Sequence, residues 1–522
     1  MCERLQMIDR CRRQACHWLL MAFLPMACRG LPSGGQRDLS YAMTPTKRAS
    51  LIGEISSHAS GRPGFSGMHP LVDGRDALAA RLALTNAAAR CLDIQYYIWK
   101  KDMAGKVLTA HLLQAADRGV RVRILLDDVG TMPSDKVLLA LDSHKNVEVR
   151  MFNPVKLRSP RLIGMVADFR RINRRMHNKS FIADGQIAIL GGRNIGDEYF
   201  GAHSGANFAD LDLAIIGQGV HEASTAFDLY WNHKASIPIH SLAREKTAAS
   251  NVEDGRTLLS AYQADTARSP YAQTVLNSDF ARQFRSDSVP WYWGRASIVS
   301  DHPDKVLDST VGTDTYLAPT FGKMVDGTKR ELFLVSPYFV PGSEGVERLA
   351  ALRRRGVRVV VVTNSLASTD GLAVHAGYQR YREPLLRAGV EIYELKPTAE
   401  PLRKRSGSRI SGSSGASLHA KTFTFDRRIG FVGSYNLDPR SHKLNTEMGV
   451  IFDCPELAAL IPVTLQKNMD RNAYRLELEG SRLVWIARGD GKETRLYSEP
   501  GASIWQRFKV RTLSLLPIEH LL

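Results

Sequence analysis

A nineteen-residue pattern occurs twice in this chain. Met176–Asn194 reads Met-His-Asn-Lys-Ser-Phe-Ile-Ala-Asp-Gly-Gln-Ile-Ala-Ile-Leu-Gly-Gly-Arg-Asn. Leu418–Asn436 reads Leu-His-Ala-Lys-Thr-Phe-Thr-Phe-Asp-Arg-Arg-Ile-Gly-Phe-Val-Gly-Ser-Tyr-Asn. In each copy a Lys follows the His by two residues, an Asp follows the Lys by five and an Asn follows the His by 17. Apolar and β-branched residues on both sides of Asp184-Gly185 and Asp426-Arg427 predict two β-hairpins. Residues two apart on a strand share a face, so His177 projects with Lys179 and His419 with Lys421. Asn194 and Asn436 return on the loop after the second strand, where small residues let backbone approach a ligand. An imidazole, an ammonium and a carboxamide converging in this way suit a phosphate site with a built-in acid, base or nucleophile. A lone His-x-Lys is ordinarily a solvated strand edge; two copies sharing three spacings are not explained that way.

The flanks repeat as well. Arg118-Gly119-Val120-Arg121-Val122 is answered by Arg355-Gly356-Val357-Arg358-Val359 at an offset of 237, and Pro154 by Pro397 at 243; the two histidines are offset by 242. A repeat of half the chain signals duplication rather than a solenoid. Within the first copy helical and strand patterns alternate: Asp76–Arg90, Asp93–Trp99, Gly105–Arg118, Val120–Leu126, Ser134–Ser143 and Val147–Phe152. The expected fold is therefore α/β: two duplicated lobes, each a mixed sheet flanked by helices. One hairpin from each lobe meets at a shared active site.

The paired His-x-Lys-x-x-x-x-Asp segments resemble those of the phospholipase D superfamily. The downstream Gly-Ser-x-Asn of that family is matched at Gly433-Ser434-Tyr435-Asn436, and the first copy departs from it with Gly192. Gln95–Trp99, Arg118–Asp128, and His375-Ala376-Gly377-Tyr378 through Arg382 to Glu394 resemble bacterial cardiolipin synthases, particularly the C-type branch. The resemblance runs from about Gly67 to the C-terminus. It implies a membrane-associated phosphatidyltransferase of phospholipid biosynthesis. One phospholipid, phosphatidylglycerol or else phosphatidylethanolamine, would form a phosphohistidine, and the glycerol hydroxyl of phosphatidylglycerol would take up the phosphatidyl group. The residues alone give only phosphodiester transfer. A phospholipase D hydrolase and, less favoured, a nuclease are the alternatives.

A phosphodiester can be cleaved if one His attacks phosphorus and the other protonates the leaving alcohol, then deprotonates the acceptor. Lys179 and Lys421, with Asn194, Asn436 and Ser434, would hold the phosphate oxygens. Asp184 and Asp426 complete the catalytic motifs, although their place at hairpin turns suits a structural or supporting role. Each imidazole needs its second nitrogen bonded to fix the tautomer. Glu447, 28 residues after His419, stands at the family position for this in the second half; Asp212, 35 after His177, is its counterpart in the first. Family usage makes His177 the nucleophile and His419 the general acid and base. No residue pattern calls for a metal or a cofactor.

Lys+Arg 70 against Asp+Glu 53 gives a net charge of +17, which favours an anionic partner. Phospholipid and a membrane surface are expected rather than nucleic acid, since many superfamily nucleases carry one motif per chain and dimerise. Basic runs precede both motifs: Arg170, Arg171, Arg174 and Arg175, and Arg403, Lys404, Arg405 and Arg409. The six cysteines show no metal-ligand spacing. Arg10, Arg12 and Arg13, then the apolar run Trp18–Ala27 before Cys28, suit a secretory leader. They resemble a bacterial lipoprotein site with Cys28 as anchor. The chain is read as a leader 1–28, a linker 29–70, a first lobe 71–245, a connecting segment 246–300, a second lobe 301–455 and a C-terminal extension 456–522. Pro290-Trp291-Tyr292-Trp293 is expected in core packing, with a membrane-facing aromatic rim as the alternative. The tail around Trp505, Phe508 and Val510, interleaved with Arg507, Lys509 and Arg511, is expected as a buried terminal element, with an interfacial membrane contact as the alternative.

Overall fold

The computed structural model describes residues 38–45, 50–131, 134–158, 161–203, 207–243, 245–307, 316–397, 416–489, 492–516 and 519. The first lobe contributes β1 (Ser66–Leu71), β2 (Cys91–Tyr96), β3 (Arg121–Asp127), β4 (Val147–Phe152), β5 (Ser180–Ala183), β6 (Ile187–Gly191), β7 (Asn207–Ala209), β8 (Asp212–Gly217) and β9 (Ser236–Pro238). The second contributes β10 (Tyr292–Ser300), β11 (Glu331–Val335), β12 (Arg358–Asn364), β13 (Glu391–Leu395), β14 (Ala416–Leu418), β15 (Lys421–Phe425), β16 (Ile429–Gly433), β17 (Met448–Asp453), β18 (Ala473–Glu479), β19 (Arg482–Gly489) and β20 (Lys492–Leu496).

β3 and β12 are buried along nearly their whole length, as continuous Val/Ile/Leu runs between helices must be. Each is flanked by parallel partners, β2 and β4 in one lobe, β11 and β13 in the other. The helices before them, Met103–Asp117 and Gly342–Arg354, end in the repeated Arg-Gly. Gly119 and Gly356 adopt φ of 94° and 82°, the left-handed conformation that stops a helix and starts a strand. The hairpins β5–β6 and β15–β16 then pair antiparallel beside β2 and β11.

The lobes join through their sheets. β1 lies between β8 and β10, and β10 between β1 and β17, all antiparallel, so eighteen strands form one sheet. One apolar cluster crosses the join, with Met68, Leu190 and Leu213 packed with Val432, Met448 and Val450. The seam that carries the duplicated motifs is thus core-packed from both sides.

The segment 246–300 connects the lobes through regular structure. It holds the helix Glu245–Arg268, two shorter helices and β10, which belongs to the second lobe's sheet. Trp291 and Trp293 pack against the first lobe's core, as expected, and the Arg62 guanidinium lies 4.3 Å over the Trp293 ring. In the C-terminal extension the helix Pro455–Asn472 leads into β18–β20, which continue the sheet beyond β13. The last helix, Ile504–Leu513, is not buried: Trp505 and Phe508 face outward, because it touches the lobe along one narrow face around Val510. Among the described residues no helix is long and apolar enough to cross a membrane. The leader with Cys28, and the basic run from Arg403 to Arg409, lie outside the described residues.

Candidate active site

Each hairpin turns at two residues with positive φ, Asp184 and Gly185 at 53° and 65°, and Asp426 and Arg427 at 55° each. This is the turn whose twist suits a two-residue hairpin. The Asp184 carboxylate accepts the backbone N–H groups of Ala89, Arg90 and Cys91 at 2.8–3.0 Å. Asp426 accepts those of Lys329, Arg330 and Glu331 in the same way. These two aspartates fasten the hairpins to the starts of β2 and β11. They sit at the far ends of the strands from the histidines, so the geometry places them outside the reacting centre, contrary to their grouping with the catalytic residues.

The histidines are placed by the opposite lobe. His177 N–H donates to the Thr446 carbonyl at 2.9 Å, and Thr446 N–H to the Arg175 carbonyl at 3.0 Å. His419 N–H donates to the Ala209 carbonyl at 2.8 Å, where β14 runs parallel to β7 and Leu418 faces Ala209. In both places the residue before a His lies opposite the residue before an acid of the other lobe. His177 Nδ1 therefore meets Glu447 Oε2 at 2.8 Å, and His419 Nδ1 meets Asp210 Oδ2 at 2.6 Å. The carboxylates serve the histidines crosswise. Neither Nε2 has a hydrogen-bond partner among the described residues.

Asp210 replaces the expected Asp212. Asp212 faces inward from β8 and is held by Arg81 at 2.9 Å and by Arg193 N–H at 3.1 Å. Register gives the reason: Gly191 pairs with Asp212, and Gly433 with Gly449. Asp212 thus corresponds to Gly449, and Asp210, two residues earlier, to Glu447.

Ser434 is likewise reassigned. Its hydroxyl donates to Glu447 Oε2, and Ser441 donates to Oε1 at 2.7 Å. Ser434 thus steadies the carboxylate instead of facing a phosphate. The first lobe has Gly192 here because a Cβ would collide with the Asp210 carboxylate. Asn194 is also committed elsewhere, accepting Ile98 N–H at 3.2 Å and donating to the Tyr199 hydroxyl at 2.9 Å. Asn436, buried beside the seam, leaves its side-chain oxygen without a partner among the described residues.

Lys179 and Lys421 fold back onto the carbonyls of His177 and His419, and Lys421 Nζ comes within 3.1 Å of His419 Nδ1. Tyr97 stands edge-on to the His177 ring at 5.1 Å; Tyr199 does the same to His419 at 5.1 Å, with Phe208 stacked at 5.2 Å. Of the basic run before His177, Arg171 pairs with Asp168 and Arg175 with Asp127. Those two hold the loop rather than attracting a headgroup.

Burial dominates the electrostatics. It lowers His177 to about 4 against the pull of Glu447, and with Lys421 it lowers His419 against the pull of Asp210. It also lowers Lys179 to about 7 and Lys421 to about 8. Burial would raise the Asp210 carboxyl, but His419, Lys421 and Arg193 together hold it at about 2. Burial likewise opposes ionisation of Glu447, whose carboxyl His177 and Lys179 still hold below its ordinary value. Two neutral imidazoles, each with Nδ1–H on a carboxylate, and two easily neutralised ammonium groups describe a site waiting for an anion.

Residues 82–222 and 323–469 match the family described as cardiolipin synthase, PLD-like domain. The chain is 42% identical to cardiolipin synthase C of Escherichia coli K12 over 475 residues, covering 90% of this chain and 99% of that one. It is 26% identical to the major cardiolipin synthase of Bacillus subtilis 168, covering 80% of this chain and 72% of that protein. The crystal structure of phosphatidylserine synthase from Haemophilus influenzae Rd KW20 has the same fold, with a TM-score of 0.56 at 14% identity, covering 90% of this chain and all of that one.

Proposed function

The chain belongs to the cardiolipin synthases with a phospholipase D-like domain, and from that premise we propose that it makes cardiolipin through a phosphohistidine on His177 without a metal ion. It is a phosphatidyltransferase acting on phospholipids. The observation that carries the finer reading is the crosswise pairing of two buried histidines with two carboxylates.

Glu447 holds the Nδ1–H of His177, so its Nε2 keeps a lone pair for phosphorus. His419 takes up a proton at Nε2 as the anionic phosphate binds, its imidazolium favoured by Asp210, and gives that proton to the departing alcohol. Bound phosphate supplies the negative charge that Lys179 and Lys421 need to stay protonated. They can then turn from their backbone carbonyls to the non-bridging oxygens, taking the electrostatic part a metal would otherwise play. Asn436 would add a donor through its amide N–H. His419, now neutral, accepts the proton of the phosphatidylglycerol hydroxyl that attacks the phosphohistidine, and cardiolipin leaves. The donor is phosphatidylglycerol, with phosphatidylethanolamine as the alternative. The protein works at the bacterial membrane, its leader anchored by lipid at Cys28.

The test is product analysis with phosphatidylglycerol vesicles in EDTA. Cardiolipin and free glycerol are expected. Phosphatidic acid alone would make the chain a hydrolase, and activity restored only by added divalent ion would remove the metal-free mechanism. Labelled palmitate retained by a Cys28→Ser variant would contradict the anchor.

A further inference from the structure

The helix Ile504–Leu513 is fully capped yet barely buried. Ser503 and Gln506 form a capping box at its start. Val510 is its buried side chain, packed with Leu366 and Ala376 and backed by Leu513. On the outer side Ile504, Trp505 and Phe508 are 81%, 71% and 61% exposed, and Leu515, in the turn that follows, is 81% exposed. At about 3.6 residues per turn, Ile504, Phe508 and Leu515 form one row with Trp505 beside it, opposite Val510. A row of large apolar side chains facing outward marks an interaction surface. Arg507 and Arg511 flank the row on one side and Lys509 on the other. A cavity of about 440 Å³ at the helix foot is lined by Arg482, Arg507, Arg511 and Tyr497 among others, with the Arg482 guanidinium 4.2 Å over the Tyr497 ring.

We infer that this face docks on an anionic bilayer, with Ile504, Trp505 and Phe508 entering the headgroup–acyl boundary and the cavity arginines meeting lipid phosphate. A helix with an apolar ridge, a Trp and basic flanks is suited to that boundary and to negative surface charge. A second copy of the chain fits poorly, since a two-fold pairing sets the same patch against itself and brings the basic flanks together. The surface lies beyond the matched family segments, which end at residue 469.

The helix also reaches toward the seam. It packs on Leu372–Gln379, the helix that follows Asp370. The Asp370 carboxylate accepts a hydrogen bond from the Tyr338 hydroxyl at 3.0 Å and acts electrostatically on His419 and Lys421. The buried Arg382 ties Glu499, just before the docking helix, to Glu394 of β13. Docking there would present the second lobe's side of the seam to the bilayer. This rests on the proposed lipid chemistry only for its purpose, since binding is measured apart from turnover.

The experiment is local fluorescence quenching of the full chain by vesicles containing brominated phosphatidylglycerol, compared with brominated phosphatidylcholine. Quenching on the anionic vesicles is expected, with most of it absent in Trp505→Phe. Because the leader carries Trp18, the comparison is made in a Trp18→Phe background, so that a leader at the bilayer does not imitate the signal. Phe508→Ser should weaken partitioning about tenfold, and Lys509→Gln with Arg511→Gln about tenfold on anionic vesicles only. Equal quenching of wild type and Trp505→Phe, or equal quenching on both lipids, overturns the inference. So does a concentration-dependent dimer that Phe508→Ser dissolves. Turnover of dispersed short-chain phosphatidylglycerol should be unchanged in these variants. Its absence in wild type, with quenching intact, would count against the proposed reaction and not against the docking face.

Discussion

The two halves of the site solve one problem with different parts. At His177 the acid is Glu447, a long carboxylate steadied by the hydroxyls of Ser434 and Ser441. At His419 it is Asp210, a shorter one steadied by the Leu211 N–H at 2.8 Å and packed where Gly192 leaves room. Serine with glutamate, and glycine with aspartate, are matched sets. The duplicated halves diverged in pairs because acid length and the residue behind it must change together. Crosswise pairing also means that neither lobe holds a complete half-site alone.

The largest effect that can break this comparison comes from the carboxylates. Asp210→Asn and Glu447→Gln should each lower kcat on the order of 10²- to 10⁴-fold, because the imidazole loses its tautomer and the support of its charge. Asp212→Asn should instead lower stability, by about 3–5 kcal/mol for a broken buried ion pair, while activity per folded molecule persists. Thermal melts beside active-site titration separate the two; a kcat loss confined to Asp212→Asn would restore Asp212 as the orienting acid.

The pH profile comes next. His177 acts neutral, so kcat/KM should fall as pH drops through about 4. His419 must be protonated to act as the acid and burial lowers it, so kcat/KM should begin to fall with rising pH below the ordinary histidine range; Lys179, which also acts protonated, adds a further loss as pH rises through about 7. Each group should contribute about tenfold per unit, and Lys179→Arg should move the later part of the alkaline limb upward. A later part unmoved by that change would assign it to another group.

A smaller effect tests the matched sets themselves. Ser434→Ala and Gly192→Ser should each cost about tenfold in kcat, as outer partners of a reacting group do. Gly192→Ser with Asp210→Glu should recover part of the loss, since it installs the second half's set in the first. Strictly multiplicative losses in that double variant would mean the two positions are not coupled.

The least effect on rate is expected from Asp184→Ala and Asp426→Ala. Each strands three backbone N–H groups, costing on the order of 1–3 kcal/mol or more. Asp184 is the more deeply buried and should cost more. Their kcat should stay within about threefold of wild type, and a loss like that of Asp210→Asn would return them to the reacting centre.

Local pattern made much of this legible. The hairpins, the Gly119 and Gly356 helix stops and the α/β alternation depend on near neighbours and on the periods of strand and helix. What failed depended on distant contacts. Asp210 and Asp212 lie on the same face two residues apart, and only the register of β8 against β6 tells them apart. Ser434 and Asn194 carry polar groups suited to phosphate, yet Glu447 in one case and Ile98 with Tyr199 in the other claim them. The crosswise pairing was invisible because each half of the sequence contains its own acid.

Central to the account is one nucleophile on the first lobe and one acid–base on the second. A phosphatidyl ester of p-nitrophenol separates them, because its leaving group needs no proton. With His419→Ala, a burst of one nitrophenolate per chain is expected, followed by a stall, since no base remains to activate the acceptor. The phosphorus label should then sit on the peptide containing His177. A burst from His177→Ala instead, with label on the His419 peptide, would contradict the assignment.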